Sequence, residues 1–211
     1  MSGPTWALLG LELDAPCLTP AARQAGFTNE GGFGGRYRFL KSIMGLWMIQ
    51  SVRHELGDRF SYPQLCAMAD EAGAFPGRVD VNDGAFFAPD SMIEAVRSAC
   101  RSSGQPVPRT PGELAAVIYR SLADAYARAL DEIEALTGRK ISAVRIVGGG
   151  ANADYLNALT AAASGRTVLA GPSEATAIGN LAVQMLGHGV FRDGEEARAC
   201  IRRSFPVQAF P

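Results

Sequence analysis

Thr110-Pro111-Gly112-Glu113 opens the longest regular pattern in this sequence. Thr110 can cap a helix, Pro111 suits its first position, and Glu113 can return a hydrogen bond to the cap. Leu114, Val117, Ile118, Leu122, Ala125, Ala129, Ile133 and Leu136 then recur at helical spacing until Gly138. The offsets predict one long helix with a single apolar face. Such a helix needs a broad surface on which to bury that face, and the residues that follow can build one. Residues 141–147 read as an apolar strand, 153–163 as a helix, Thr167–Ala170 as a strand and 174–186 as a helix. Strand and helix alternating across short loops favour parallel strands in a sheet covered by helices. A last helix is expected over 194–203.

Upstream of Thr110 the pattern differs. Trp6–Leu13 reads as a strand, ended by Asp14-Ala15-Pro16. Phe27-Thr28, then Asn29-Glu30-Gly31-Gly32, then 35–40 read as strand, glycine turn and strand. Ile43, Leu46, Trp47, Ile49, Gln50, Val52, Arg53 and Leu56 show helical spacing up to Gly57. Ser61 to Gln64 forms a capping box for a helix reaching Ala72. Residues 73–90 read as loop, and Asp90 is expected to cap a helix ending near Ser102.

The chain has 211 residues, 47% of them hydrophobic and 19% charged, enough for one domain with a sizeable core. A net charge of -1 gives no electrostatic footprint for nucleic acid or a membrane surface. The longest stretch without Asp, Glu, Lys or Arg, 175–191, includes Asn180, Gln184 and His188 and falls short of a membrane span. No basic region follows Met1, so no secretory leader is expected and the protein is placed in the cytoplasm. Cys17, Cys66, Cys100 and Cys200 are far apart and read as reduced thiols. With only His54 and His188 as imidazoles, no metal site is expected.

Ile146-Val147-Gly148-Gly149-Gly150 is the segment best suited to carry chemistry. Glycine lets the backbone approach a base or phosphate, and the next helix start offers free N–H groups. A ligand at the carboxyl end of such a strand is the general expectation for open α/β sheets. A tight turn with no ligand is the alternative. No Walker A string is present. A Rossmann fingerprint fits loosely as Gly148-x-Gly150-x-x-Ala153, but the strand Thr167–Ala170 ends in Gly171 rather than an acidic residue for a ribose. A dinucleotide oxidoreductase therefore stays open on this one feature. A second segment, 171–180, carries Ala175, Ala177 and Gly179, small residues that would let its helix pack closely. A third, 28–47, is unusually rich in glycine and arginine.

Thr5-Trp6 at the first strand, 28–50 with its Asn-Glu-Gly-Gly, Gly-Arg-Tyr-Arg-x-Leu-Lys and Met-Gly-Leu-Trp strings, and 146–180 come in one order. Together they resemble the C-terminal domain of the FGGY carbohydrate kinases, and within that family its rhamnulokinase branch. The resemblance runs from about Thr5 to about Phe191. It implies an α/β fold, an actin/hexokinase-like (ribonuclease H-like) ATPase domain with a mixed sheet flanked by helices. It implies that 1–211 is the nucleotide-binding domain and that the sugar-binding N-terminal domain is absent. The reaction implied is Mg-dependent transfer of the γ-phosphoryl group of ATP to O1 of L-rhamnulose.

Carried over by position, Thr5 should lie at the ATP phosphates, Gln50 near the nucleotide and Gly150 against the adenosine. Gly148 and Gly149 complete that loop. Ser42 stands where the family has an Asn near the substrate. Asn152 stands in an Ala151-Asn152-Ala153 run that departs from the family's usual string, and is the side chain left to reach the adenine edge. The family's catalytic base, an Asp, belongs to the preceding half, so no residue here is assigned as catalytic. The chain is expected to bind ATP or ADP weakly, to be inactive alone, to meet the sugar only with its N-terminal domain, and to self-associate through uncovered apolar surface. The alternatives are a free-standing nucleotide-binding module with a separate partner, and a kinase of the same family for another sugar.

Overall fold

The computed structural model describes residues 6–211; Thr5 lies outside the described residues. The first sheet comprises β1 (Trp6–Leu13), β2 (Thr28–Gly31) and β3 (Tyr37–Met44), antiparallel throughout in the order β1-β3-β2. Leu8 pairs with Ser42, Gly10 with Leu40 and Glu12 with Arg38. At Gly10 the strands close in: a Cβ there would lie 2.6 Å from the Leu40 Cα, so only glycine fits. A short helix missing from the sequence reading, α1 (Pro20–Gln24), links β1 to β2 and is capped by Thr19.

The glycine turn sits later than its sequence implied. Asn29, Glu30 and Gly31 belong to β2, and the chain reverses in a 3₁₀ turn at Phe33–Gly35, where Gly34 and Gly35 take positive φ. Asn29 is spent elsewhere. Its side chain accepts from the Cys17 N–H (2.9 Å) and donates to the Cys17 carbonyl (3.0 Å). Glu30 pairs with its cross-strand partner Arg38 at 2.6 Å. Both side chains favour the ladder over a turn.

The helix expected from Ile43 begins only at Trp47, as α2 (Trp47–Glu55). Ile43 and Met44 instead continue β3, paired with Ala7 and Trp6 and fully buried. Pairing with β1 overrides the local spacing. α3 (Tyr62–Glu71) starts at the expected capping box. α4 (Met92–Ser102) is capped by Ser91 rather than Asp90, because Ser91 Oγ accepts from the Glu94 N–H at 3.1 Å. Glu55 reinforces this start from another helix, accepting from Ser91 Oγ at 2.7 Å and from the Met92 N–H at 2.5 Å.

α5 (Pro111–Thr137) is the long predicted helix, with its capping box formed and Gly138 left-handed at φ 68°. Its buried residues lie against α3, β1 and β3, and this contact is the centre of the core. The second sheet has β4 (Ala143–Ile146) parallel to β5 (Thr167–Ala170), joined by α6 (Asp154–Ser164). β4 is shorter at both ends than the expected 141–147 strand. An edge strand not expected from sequence, β6 (Gln208–Phe210), adds antiparallel to β5. The mixed sheet and covering helices are thus present. A cleft of about 450 Å³ lies between β1 and β4.

α7 (Ala175–Gly187) and α8 (Gly194–Ser204) complete the described chain. Close packing of α7 through its small residues does not occur. None of its residues is buried and the space around Gly179 is open. Among the described residues its main contact is with α8, itself a mostly exposed helix, so its small residues stay uncovered.

Candidate functional site

The chain leaves β4 at Ile146, and Gly148 turns at φ 73° into a 3₁₀ turn, Gly148–Asn152, that leads into α6. A side chain at that φ would be strained, which is why glycine stands there. The loop is tied to the one after β5: the Gly148 N–H donates to the Pro172 carbonyl (3.2 Å) and the Gly171 N–H to the Ile146 carbonyl (2.8 Å). Gly150 and Ala151 are buried beneath the turn, while Gly149 and Asn152 are exposed.

Gly149 and Asn152 face a cavity of about 550 Å³. Leu46, Ile49 and Gln50 close it from the start of α2, Tyr62, Pro63 and Cys66 from α3, Tyr119 from α5, and Tyr155 from α6. The walls are mostly aromatic and aliphatic. Tyr119 and Tyr155 meet edge to face, with ring centroids 5.3 Å apart. The Cys66 thiol donates to the Tyr119 hydroxyl at 3.5 Å. The Arg53 guanidinium lies over the Tyr62 ring, 5.2 Å from its centroid.

The titration of these groups limits the chemistry. Burial pushes the Cys66 thiol up from its ordinary value, and it does the same, more strongly, to the Tyr119 phenol. Burial also raises Tyr155. All three stay protonated near neutrality, so this wall supplies neither a thiolate nor a phenolate base. The cavity is mostly apolar, with a few polar groups (Gln50, Asn152, Asp154 and the glycine backbone), which is the character of a small-molecule site.

Of the residues singled out in the sequence, Gln50 on α2 and Gly149 and Asn152 in the glycine turn come together here from two distant segments. Gly148 and Gly150 shape the loop under the cavity without lining it. Ser42 is not among the lining residues; it is exposed on β3, opposite Leu8. Tyr62, Cys66, Tyr119 and Tyr155 were missed. Tyr62 sits inside a capping box and Tyr119 inside an apolar helical stripe, and neither pattern marks a cavity wall. Among the described residues no three His, Cys, Asp or Glu side chains are grouped to hold a metal. Among those residues no helix is long and apolar enough to cross a membrane.

A family model described as the FGGY family of carbohydrate kinases, C-terminal domain, matches residues 1–188. The chain belongs to the FGGY family of carbohydrate kinases. Two curated members are similar along the whole of it. A rhamnulokinase of Bacillus subtilis is 43% identical over 210 residues, covering 100% of this chain and 43% of that protein. A rhamnulokinase of Enterococcus faecalis is 44% identical over 212 residues, again covering 43% of its length. The chain therefore spans less than half the length of these relatives.

Solved FGGY kinases share the fold. A ligand-bound xylulose kinase from Lactobacillus acidophilus superposes with a TM-score of 0.68 at 12% identity, over 98% of this chain and 41% of that one. A xylulose kinase from Bifidobacterium adolescentis gives 0.55 at 19% identity, over 80% and 32%. The α/β architecture is thus the actin/hexokinase-like one of this family.

Proposed function

We propose that the chain is the nucleotide-binding half of a sugar kinase that transfers the γ-phosphoryl group of ATP to O1 of L-rhamnulose. The products are ADP and L-rhamnulose 1-phosphate. The observation that carries this reading is the convergence of Gln50, Gly149 and Asn152 on one cavity of about 550 Å³. That volume lies within the range of small-molecule sites, and the apolar wall suits a base while the rim offers hydrogen bonds. The choice of sugar rests on the rhamnulokinase relatives and their identity of about 43%. The xylulose kinases support only the shared fold.

ATP is thus the cofactor the cavity fits. Mg²⁺ would arrive on its phosphates, as no carboxylate cluster among the described residues would hold it independently. The bound metal supplies charge neutralisation on the phosphoryl group. The role of this chain is to bind and orient the nucleotide, with Cys66 and Tyr119 protonated in the cavity wall. The catalytic base and the sugar pocket would come from the portion of the relatives that this chain does not span. Thr5 at the phosphates and Ser42 at the substrate remain proposals by position. Work in the cytoplasm, where ATP is abundant, completes the reading.

Calorimetric titration of the purified chain with ADP and, separately, with NAD tests it. ADP should bind, and Gln50→Ala should weaken it. Equal or tighter binding of NAD would favour the dinucleotide reading. Phosphorylation of L-rhamnulose by the chain alone would refute the division of labour.

A further inference from the structure

Only a few polar residues of the described chain are buried: Ser121, Thr160 and Asn157. Ser121 Oγ accepts from the Val79 N–H at 3.0 Å, and Thr160 Oγ1 donates to Leu156 within its own helix. Asn157 is different. Its side chain is 1% exposed on α6, and its Nδ2 donates to both the Gly150 and the Ala151 carbonyls, each at 3.3 Å. The Gly150 carbonyl also accepts from the Ala153 N–H at 3.1 Å, so it holds two bonds from the α6 side.

α6 packs against α5, with Leu156 in the main core, and against the second sheet, with Ala161 beside Ile146 and Val168. A leucine would serve that packing without the cost of desolvating an amide. The amide is accounted for by what it does to the glycine turn. Glycines leave peptide units free to rotate, and Gly148 and Gly149 carry no side chain to restrain them. A planar trans peptide fixes each N–H opposite its carbonyl. With the Gly150 and Ala151 carbonyls drawn toward Asn157, the N–H groups of Ala151 and Asn152 point away from it. Asn152 itself lines the cavity.

We infer that Asn157 is a positioning residue for the nucleotide loop: its buried amide sets the orientation of the Gly150 and Ala151 peptides and thereby the affinity of the cavity. The inference rests on the nucleotide reading for its second half only. The first half, the ordering of the loop, stands on the hydrogen bonds alone.

The test uses the 211-residue chain. Hydrogen exchange of the 148–153 amides is measured beside that of α5, together with ADP affinity, in Asn157→Ala and Asn157→Asp. In Asn157→Ala, loop protection should fall about tenfold, the worth of one hydrogen bond to a buried group, while α5 keeps its protection. ADP affinity should fall by a similar factor. In Asn157→Asp a protonated carboxyl can still donate one bond, whereas a carboxylate faces two carbonyl oxygens and donates none. Loop protection in that variant should therefore be lost as pH rises through the carboxyl's titration, with wild type showing no such dependence.

Unchanged loop protection in Asn157→Ala overturns the inference. A loss shared equally by α5 does so too, since it marks general destabilisation. If Asn157→Ala does not fold, the pH series on Asn157→Asp decides. A wild-type chain that binds no ADP removes the nucleotide reading, and the exchange data then decide the ordering role by themselves.

Discussion

Gly112→Ala sets two magnitudes against each other. Gly112 is the second residue of α5, beneath the end of α3. An added Cβ would lie 2.9 Å from the Met68 carbonyl carbon and 3.2 Å from the Met68 Cβ, with the carbonyl oxygen closer still. That oxygen already accepts from the Ala72 N–H at 3.0 Å, so it cannot turn aside without opening the end of α3. Replacing glycine by alanine in a helix gains up to about 1 kcal/mol from propensity, and less in the first turn. Overpacking against a fixed neighbour costs about 1–3 kcal/mol. The clash wins because the obstacle is backbone, and the expected result is a net loss of about 1 kcal/mol or more. α3 would be displaced from α5, stretching the 3.5 Å contact between Cys66 and Tyr119 at the cavity wall, so ADP affinity should fall with stability. Urea unfolding followed by far-UV circular dichroism gives the free energy from the midpoint and slope. Gly194→Ala, at the start of α8 and away from the cavity, is the control, because a Cβ there meets nothing within 4 Å. A Gly112→Ala chain more stable than wild type would refute the close backbone approach of α3 to α5.

Glu55→Ala should cost about 1 kcal/mol in the same assay, the worth of a helix cap, because Glu55 accepts from Ser91 and Met92 at the start of α4. Its effect should not add to that of Ser91→Ala, since the two side chains are bonded to each other. Glu134 is held down to about 2 by the Ile141 N–H first, then by Lys140 and Arg166. A folded value below the unfolded one stabilises above about pH 4.5 and is lost as pH falls toward 2. Glu134→Gln should therefore lower the Tm at pH 7, and the gap to wild type should close over that window. Leu181 and Val190 are each 59% exposed, so the chain should associate at high concentration in sedimentation, and Leu181→Glu should reduce it. A monomer at all concentrations would count against that expectation.

Much of the fold was legible because local rules and tertiary packing agree along most of the chain. The capping boxes at Ser61 and Thr110, the left-handed Gly138 and the strand Thr167–Ala170 follow from side-chain chemistry within a few residues. The glycine turn after β4 was legible for the same reason. Where local preference and distant pairing compete, tertiary structure decided. Ile43 shows helical spacing with Leu46 and Trp47 yet joins β3, because β1 offers a ladder and a core that no local window contains. Asn29 looks like a turn residue until Cys17 takes both ends of its amide.

The site divides along the same line. Sequence by itself determined the loop, through three glycines between a strand and a helix, and the motifs of the FGGY family. Only the tertiary structure brought Gln50 and Asn152 to one cavity, walled it with Tyr62, Tyr119 and Tyr155, and placed Asn157 under the glycine turn. Periodicity records which face of a helix is buried. It does not record whether that face meets solid core, an open cavity or the carbonyls of a neighbouring loop, since those depend on contacts between residues far apart in the chain.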